Sequence, residues 1–144
     1  PTAGNRITDV ITNATLIDQV VVYTVSPTSL SIFGSCPGDP FTVTVTVQPE
    51  PASVNVTDMT CSDVVLAHNL QSDILNSLPS TFLWKATGNA NVLGESVVAQ
   101  AGSIIDDLLT NNTGVDQNVI YTVTPTASNG CVGDPFTVTV TVTT

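Results

Sequence analysis

Ten aspartates, two glutamates, one histidine and three cysteines are the side chains here that could carry chemistry, and their spacing decides which chemistry is open. Cys36, Cys61 and Cys131 form no C-x-x-C, and His68 stands alone, so they assemble no zinc-type ligand set. His68 lies in Val64-Val65-Leu66-Ala67-His68-Asn69-Leu70, a run that reads as a strand. A single His there is expected to be a surface or half-buried side chain rather than a base. No Gly-x-Ser-x-Gly elbow supplies a nucleophile. Asp106 and Asp107 are adjacent, so on a strand they point to opposite faces and cannot converge as the carboxylate pair of a glycosidase. The expectation is a protein that is not an enzyme. More informative are the acids that recur: Asp39 and Asp134 in Gly-Asp-Pro turns, Asp18 and Asp116 before a strand, and Glu50 in a Pro-rich joint. Turn chemistry and solubility account for them first. The sharper alternative is Ca²⁺ bound at a domain junction by Asp18, Asp39, Asp116, Asp134 and Glu50. No cofactor is otherwise required.

The elements that would position these residues are strands. Of the 144 residues, 42% are apolar and 10% charged, with Val and Thr dominant, both β-branched and suited to a pleated surface. Nine Gly and nine Pro break the chain at short intervals, which fits strands joined by turns. Twelve acidic residues against Arg6 and Lys85 give a net charge of −10, which repels phosphate backbones and anionic lipid; neither nucleic acid nor membrane is an expected partner. No apolar run approaches the length of a membrane-spanning helix. A chain opening at Pro1 is expected to be a processed product or a slice of something longer.

A repeat organises the sequence. Gly-Asp-Pro-Phe-Thr-Val-Thr-Val-Thr-Val occurs at 38–47 and again at 133–142. Upstream, Tyr23-Thr24-Val25-Ser26-Pro27-Thr28 returns as Tyr121-Thr122-Val123-Thr124-Pro125-Thr126. Asp18-Gln19 returns as Asp116-Gln117, and Ile7-Thr8-Asp9 with Thr12-Asn13 and Thr15 returns as Ile105-Asp106-Asp107 with Thr110-Asn111 and Thr113. The offset is 95 residues at Gly38 and 98 at Asp18, the difference being a longer loop at 29–35. That period suits a sandwich domain rather than a solenoid. Residues 1–47 therefore read as the C-terminal half of one unit, 48–51 as a stiff Pro-rich linker, and 52–144 as a complete unit. Period-two alternation places strands near 52–58, 63–70, 81–86, 92–99, 103–110, 118–125 and 135–142, and near 7–13, 19–26 and 40–47 in the half-unit. Residues 104–109 have helix-like spacing, but a strand or short turn is preferred. Seven short strands per unit predict two packed sheets, an all-β, immunoglobulin-like antiparallel β-sandwich in tandem repeats.

Cys131-x-Gly133-x-Pro135-Phe136 followed by alternating Thr and Val, with Thr60-Cys61-Ser62 opening the unit and Thr81-Phe82-Leu83-Trp84 in its middle, resembles the PKD-like or Ig-like repeats of giant Bacteroidetes surface proteins. Gliding-motility adhesins exported by type IX secretion are among them. The resemblance implies an extracellular, cell-surface location and a stiff structural or adhesive stalk. Its partners would be neighbouring repeat units of the same or another chain, and surface glycans or a host or substratum surface. A carbohydrate-binding or accessory module of a secreted enzyme is the rival reading. Repeat position and resemblance together pair Cys61 with Cys131 inside one unit and leave Cys36 to a partner outside the segment; three reduced thiols would instead fit a cytosolic protein. Trp84 is expected as the core anchor against that disulfide, with Tyr23, Tyr121, Phe41 and Phe136 as further anchors. Asn13, Asn55 and Asn111 each begin an N-x-Ser/Thr triplet, attributed to chance in a Thr-rich chain.

The half-unit raises a problem of its own. Val21, Tyr23 and Val25 with Phe41, Val43, Val45 and Val47 give it an apolar face, and an isolated sheet would leave that face in water with open edges. The expectation is that it is covered, either by an upstream half in the same polypeptide or in trans by strand addition.

Overall fold

The structure is a computed structural model that describes residues 6–29 and 34–144. In chain order the strands are β1 (Gln19–Val25), β2 (Thr28–Ser29), β3 (Cys36–Pro37), β4 (Phe41–Val47), β5 (Val56–Cys61), β6 (Val64–Val65), β7 (His68–Asn69), β8 (Ser80–Thr87), β9 (Val92–Leu93), β10 (Gln100–Ala101), β11 (Ile104–Ile105), β12 (Leu108–Asn111), β13 (Gln117–Ala127) and β14 (Phe136–Thr143). A 3₁₀ turn, Leu70–Asp73, follows β7.

Residues 52–144 form the sandwich. Its main sheet has the order β10-β8-β13-β14-β5. All its pairings are antiparallel except the last: β5, which opens the unit, runs parallel to β14, which closes it, with Val56 opposite Val138 and Cys61 opposite Thr143. The facing layer is made of shorter pieces, β6-β12-β9 and β11-β7. Strict alternation on β14 sends Phe136, Val138, Val140 and Val142 inward and the intervening threonines outward. Val119, Tyr121 and Val123 of β13 and Phe82, Trp84 and Ala86 of β8 join them. Leu66, Leu70, Ile105 and Leu109 close the same cluster from the facing layer. The molecule is thus an all-β sandwich. Residues 104–109 hold β11 and the start of β12 rather than a helical turn, with Asp106 and Asp107 between the two strands.

The half-unit forms the β1–β4 hairpin and the short β2–β3 pair, in which Thr28 lies opposite Pro37 and Ser29 opposite Cys36. β1 pairs with β4 from Gln19–Val47 to Val25–Phe41, the register in which β13 pairs with β14 from Gln117–Val142 to Val123–Phe136. The strand expected at 7–13 does not form: among the described residues no neighbouring strand offers it a ladder. The strand expected over 63–70 breaks into β6, β7 and the 3₁₀ turn. Asn69 Oδ1 caps that turn by accepting from the Gln71 amide at 3.1 Å.

Candidate assembly interface

The half-unit and the complete unit carry the same side-chain clamp. Asn111, almost fully buried, donates through Nδ2 to the carbonyls of Val115 (2.9 Å) and Val142 (3.0 Å). Its Oδ1 accepts from the Thr113 amide and hydroxyl at 2.9 and 2.8 Å. Asn13 repeats this on Ile17 (2.9 Å), Val47 (2.7 Å) and Thr15 (3.0 and 2.6 Å). The recurring Asn-x-Thr is therefore a turn that fastens residues 13–17 or 111–115 to the end of the final strand, and chance does not account for it. Asn55, in the third triplet, accepts from the Thr137 amide at 2.9 Å.

The Tyr–Asp pair recurs too. Tyr121 donates its hydroxyl to Asp107 Oδ2 at 2.8 Å, and Asp107 also accepts from the Ser96 amide (2.8 Å) and hydroxyl (2.7 Å). Burial first, then Asp107 and Glu95, push the Tyr121 phenol far above its ordinary range, so it stays a donor. In the half-unit, desolvation followed by the hydrogen bond and charge of Asp9 raises Tyr23 in the same sense.

What differs is the cover. Tyr121 is 0% exposed and Phe136 3%, whereas Phe41 is 52% exposed and Tyr23 only half-buried. Tyr23 and Phe41 are thus not core anchors within the described residues, because no second layer lies over β1 and β4. At the lower end of this uncovered face a cavity of about 380 Å³ opens, lined by Asp9, Ile11, Asn13, Val45, Thr46, Val47, Gln48, Glu50 and Cys131.

The joint between the units is held on both sides. Asn76, just after the core residue Ile74, donates through Nδ2 to the carbonyls of Glu50 (2.9 Å), Ala14 (3.1 Å) and Thr15 (3.4 Å), and its Oδ1 accepts from the Ala52 amide at 3.2 Å. The Glu50 amide donates to Asn13 O at 2.8 Å, and Asn129 Nδ2 to Pro49 O at 2.9 Å. Pro49 and Pro51 are buried. A Cβ on Gly133 would run into the Pro51 carbonyl, so the recurring glycine of Gly-Asp-Pro lets the linker lie against the second unit.

The cysteines correct one expectation. All three are free, and Cys61 cannot reach Cys131. Cys61 sits beside Thr143 at the end of β14, while Cys131 precedes its start, next to the Thr126–Val132 bridge. The length of that strand, roughly 20 Å at ~3.3 Å per residue, separates them, far beyond the span of a disulfide. Trp84 is 3% exposed, but it packs edge-on against Tyr121, with centroids 5.8 Å apart at 70°, in place of a disulfide. The recurrent acids also fail to converge. Asp18 and Asp39 lie exposed at opposite ends of the β1–β4 hairpin, Asp116 and Asp134 at opposite ends of β13–β14, and Glu50 is half-buried in the joint. Among the described residues no three acids, cysteines or histidines are grouped to hold a metal ion.

The profile of the PKD-like domain family matches twice, over residues 1–51 and 58–144. The chain belongs to the PKD-like domain family. Such domains are in general extracellular, non-catalytic structural or adhesive modules. Among curated proteins none matches the sequence. Among the described residues no helix is long and apolar enough to cross a membrane.

Within the complete PKD-like unit one polar constellation escaped the sequence reading. His68 on β7 stands between Asp58 of β5, 2.7 Å from Nδ1, and Asp73 of the 3₁₀ turn, 2.9 Å from Nε2. A neutral imidazole has one N–H and would turn a lone pair toward one carboxylate; the imidazolium satisfies both. Burial pulls its pKa down, but the hydrogen bonds and charges of Asp73 and Asp58 outweigh that and raise it. The cluster ties the sheet edge to the facing layer. Because the folded pKa is the higher one, its stabilisation is fully present below the ordinary value of 6.5 and is lost as pH rises through the folded pKa. The melting temperature should accordingly fall as pH is raised above 6.5, and His68→Gln should flatten that dependence. A wild-type profile with no slope there, measured by calorimetry, contradicts this assignment.

Proposed function

We propose that the chain is a piece of a serially repeated extracellular stalk, a structural and adhesive module of a bacterial surface protein. The kind meant is the Bacteroidetes gliding-motility adhesin exported by type IX secretion. Its partners in this reading are neighbouring PKD-like units, which complete the uncovered β1–β4 face, with surface glycans or a substratum as what the whole stalk adheres to. The observation that carries the reading is the joint. A free tether would leave its backbone to water, but here the linker is hydrogen-bonded to both units and its prolines are buried. A stalk that transmits force needs such a fixed angle. The near-identity of β4 and β14 supports it further, since a rod gains from repetition and a single ligand site does not.

Small-angle scattering from the chain tests this. A single extended shape is expected, and Asn76→Ala, which removes three carbonyl contacts worth about 1–2 kcal/mol in all, should broaden the distribution of interunit angles while leaving the melting of the complete unit within about 1 kcal/mol. Wild-type scattering that fits two freely reorienting bodies would overturn the stalk.

A further inference from the structure

The cavity at the joint has an occupant written into the repeat. In the complete unit the matching positions are Asp107, Leu109 and Asn111 on one wall and Val140, Thr141, Val142 and Thr143 on the other. There they are bridged by the turn Cys61-Ser62-Asp63. The Ser62 amide donates to Thr143 O and the Asp63 amide to Leu109 O, both at 2.9 Å. The Asn111 amide donates to Ser62 Oγ at 3.0 Å, and Thr110 Oγ1 to Asp63 Oδ1 at 2.6 Å. Asp63, at φ 62, makes the reversal. Transferred by the repeat onto the half-unit, this turn would span Gln48, Ile11, Thr12 and Asn13, closing the mouth of the 380 Å³ cavity. Its cysteine would then lie at the end of β4, where Cys131 of the following unit already forms part of the cavity wall.

We propose that consecutive units are stapled by a disulfide between the Cys61 position of one unit and the Cys131 position of the next. This inference rests on the serial-repeat reading above. It gives each cysteine a place. Cys61 is exposed at the far end of its unit, where the next unit docks; Cys131 faces back across the joint; and Cys36, the repeat counterpart of Cys131, awaits the Cys61 position of the unit before it. The pairing also explains why the two cysteines of one unit sit at opposite ends of β14. Formation needs an oxidant, which a small disulfide such as oxidised glutathione supplies. The Cys131 thiolate attacks that disulfide and releases one glutathione thiolate. The Cys61-type thiolate then attacks the mixed disulfide at the protein sulfur and releases the second. Two protein thiols are oxidised, the donor disulfide is reduced to two glutathione thiols, and the two protons lost by the protein thiols end on them.

The chain itself offers the test. A synthetic peptide of residues 53–63, carrying the β5 strand and the turn, is incubated with the full chain and oxidised glutathione, and the adducts are mapped without reduction. The expected result is peptide joined to Cys131 at least tenfold in excess over Cys36 and Cys61, although those two are the more exposed thiols. Ser62→Pro in the peptide, which removes the amide that docks on the strand end, should abolish the preference. Adducts distributed by exposure, with Cys36 and Cys61 ahead, overturn the staple. A second arm appends a further copy of residues 48–144 directly after Val142. Cys61 should then link to the Cys131 position of the appended copy, with the remaining thiols still open to alkylation; free thiols throughout reject the proposal. Scattering of the same chain under reducing conditions reads the stiffness of the joint separately, so a stiff rod without the bond retires the staple alone.

Discussion

Trp84→Ala should destabilise the complete unit by about 3–5 kcal/mol, whereas Trp84→Phe should cost only about 1–2 kcal/mol. The indole is 3% exposed and sits in the middle of β8, edge-on to Tyr121 between the two layers. Truncation to Ala removes both the transferred area and the aromatic contact, and the strands of a sandwich cannot close a ring-sized void without shifting register. Phenylalanine keeps most of the area. It also removes Trp84 Nε1, which is buried with no hydrogen-bond partner and so opposes folding in the wild type. Denaturant melts followed by circular dichroism measure both variants; fluorescence does not serve, because Trp84 is the chain's one tryptophan. Equal penalties for Ala and Phe would mean that a phenyl ring recovers none of the packing that the indole supplies. A penalty below about 1 kcal/mol for Ala would remove Trp84 from the core.

Such a ranking was within reach of the sequence because β8, β13 and β14 are regular. Seven to eleven residues of alternating type leave a strand one choice of face, and the repeat of β13–β14 in β1–β4 fixed the register twice over. The facing layer was harder. Between Val64 and Asn111 most strands are two residues long, too short for any periodicity to declare itself. The His68 cluster left no trace for a different reason: its carboxylates come from a sheet edge and from a 3₁₀ turn, and only the folded chain brings β5 against β7. The disulfide expectation failed because equivalent cysteines in a repeat say which positions correspond, not which end of a strand each occupies. The repeat does carry one signal of the polar contacts. Asp9 recurs as Asp107 in step with Tyr23 and Tyr121, and Asn13 as Asn111 in step with Thr15 and Thr113. Polar residues that recur together at a fixed separation are the mark of a shared hydrogen-bonded turn or buried pair.

The buried Asp107 network carries the other large expectation. Asp107 is 8% exposed and satisfies three donors at once: the Tyr121 hydroxyl, the Ser96 amide and the Ser96 hydroxyl. It thereby joins β13 to the loop after β9 through a segment that leads into β12. Asp107→Ala takes the acceptor from all three donors, the buried Tyr121 hydroxyl among them, and should cost about 3–5 kcal/mol. Asp107→Asn should be milder, about 1–2 kcal/mol. The amide oxygen can take the position that accepts from Tyr121 and the Ser96 amide, while Nδ2 donates to a Ser96 hydroxyl rotated to accept. Tyr121→Phe removes one donor and leaves the carboxylate with two, so it should cost about as much as Asn. The double variant Asp107→Ala with Tyr121→Phe should then fall short of the sum of the singles by roughly 1 kcal/mol, the coupling expected of groups in direct contact. Urea melts of the four proteins close the cycle. Strict additivity would mean that the Tyr121–Asp107 hydrogen bond contributes nothing of its own and that the residues recur as Tyr23 and Asp9 for packing alone.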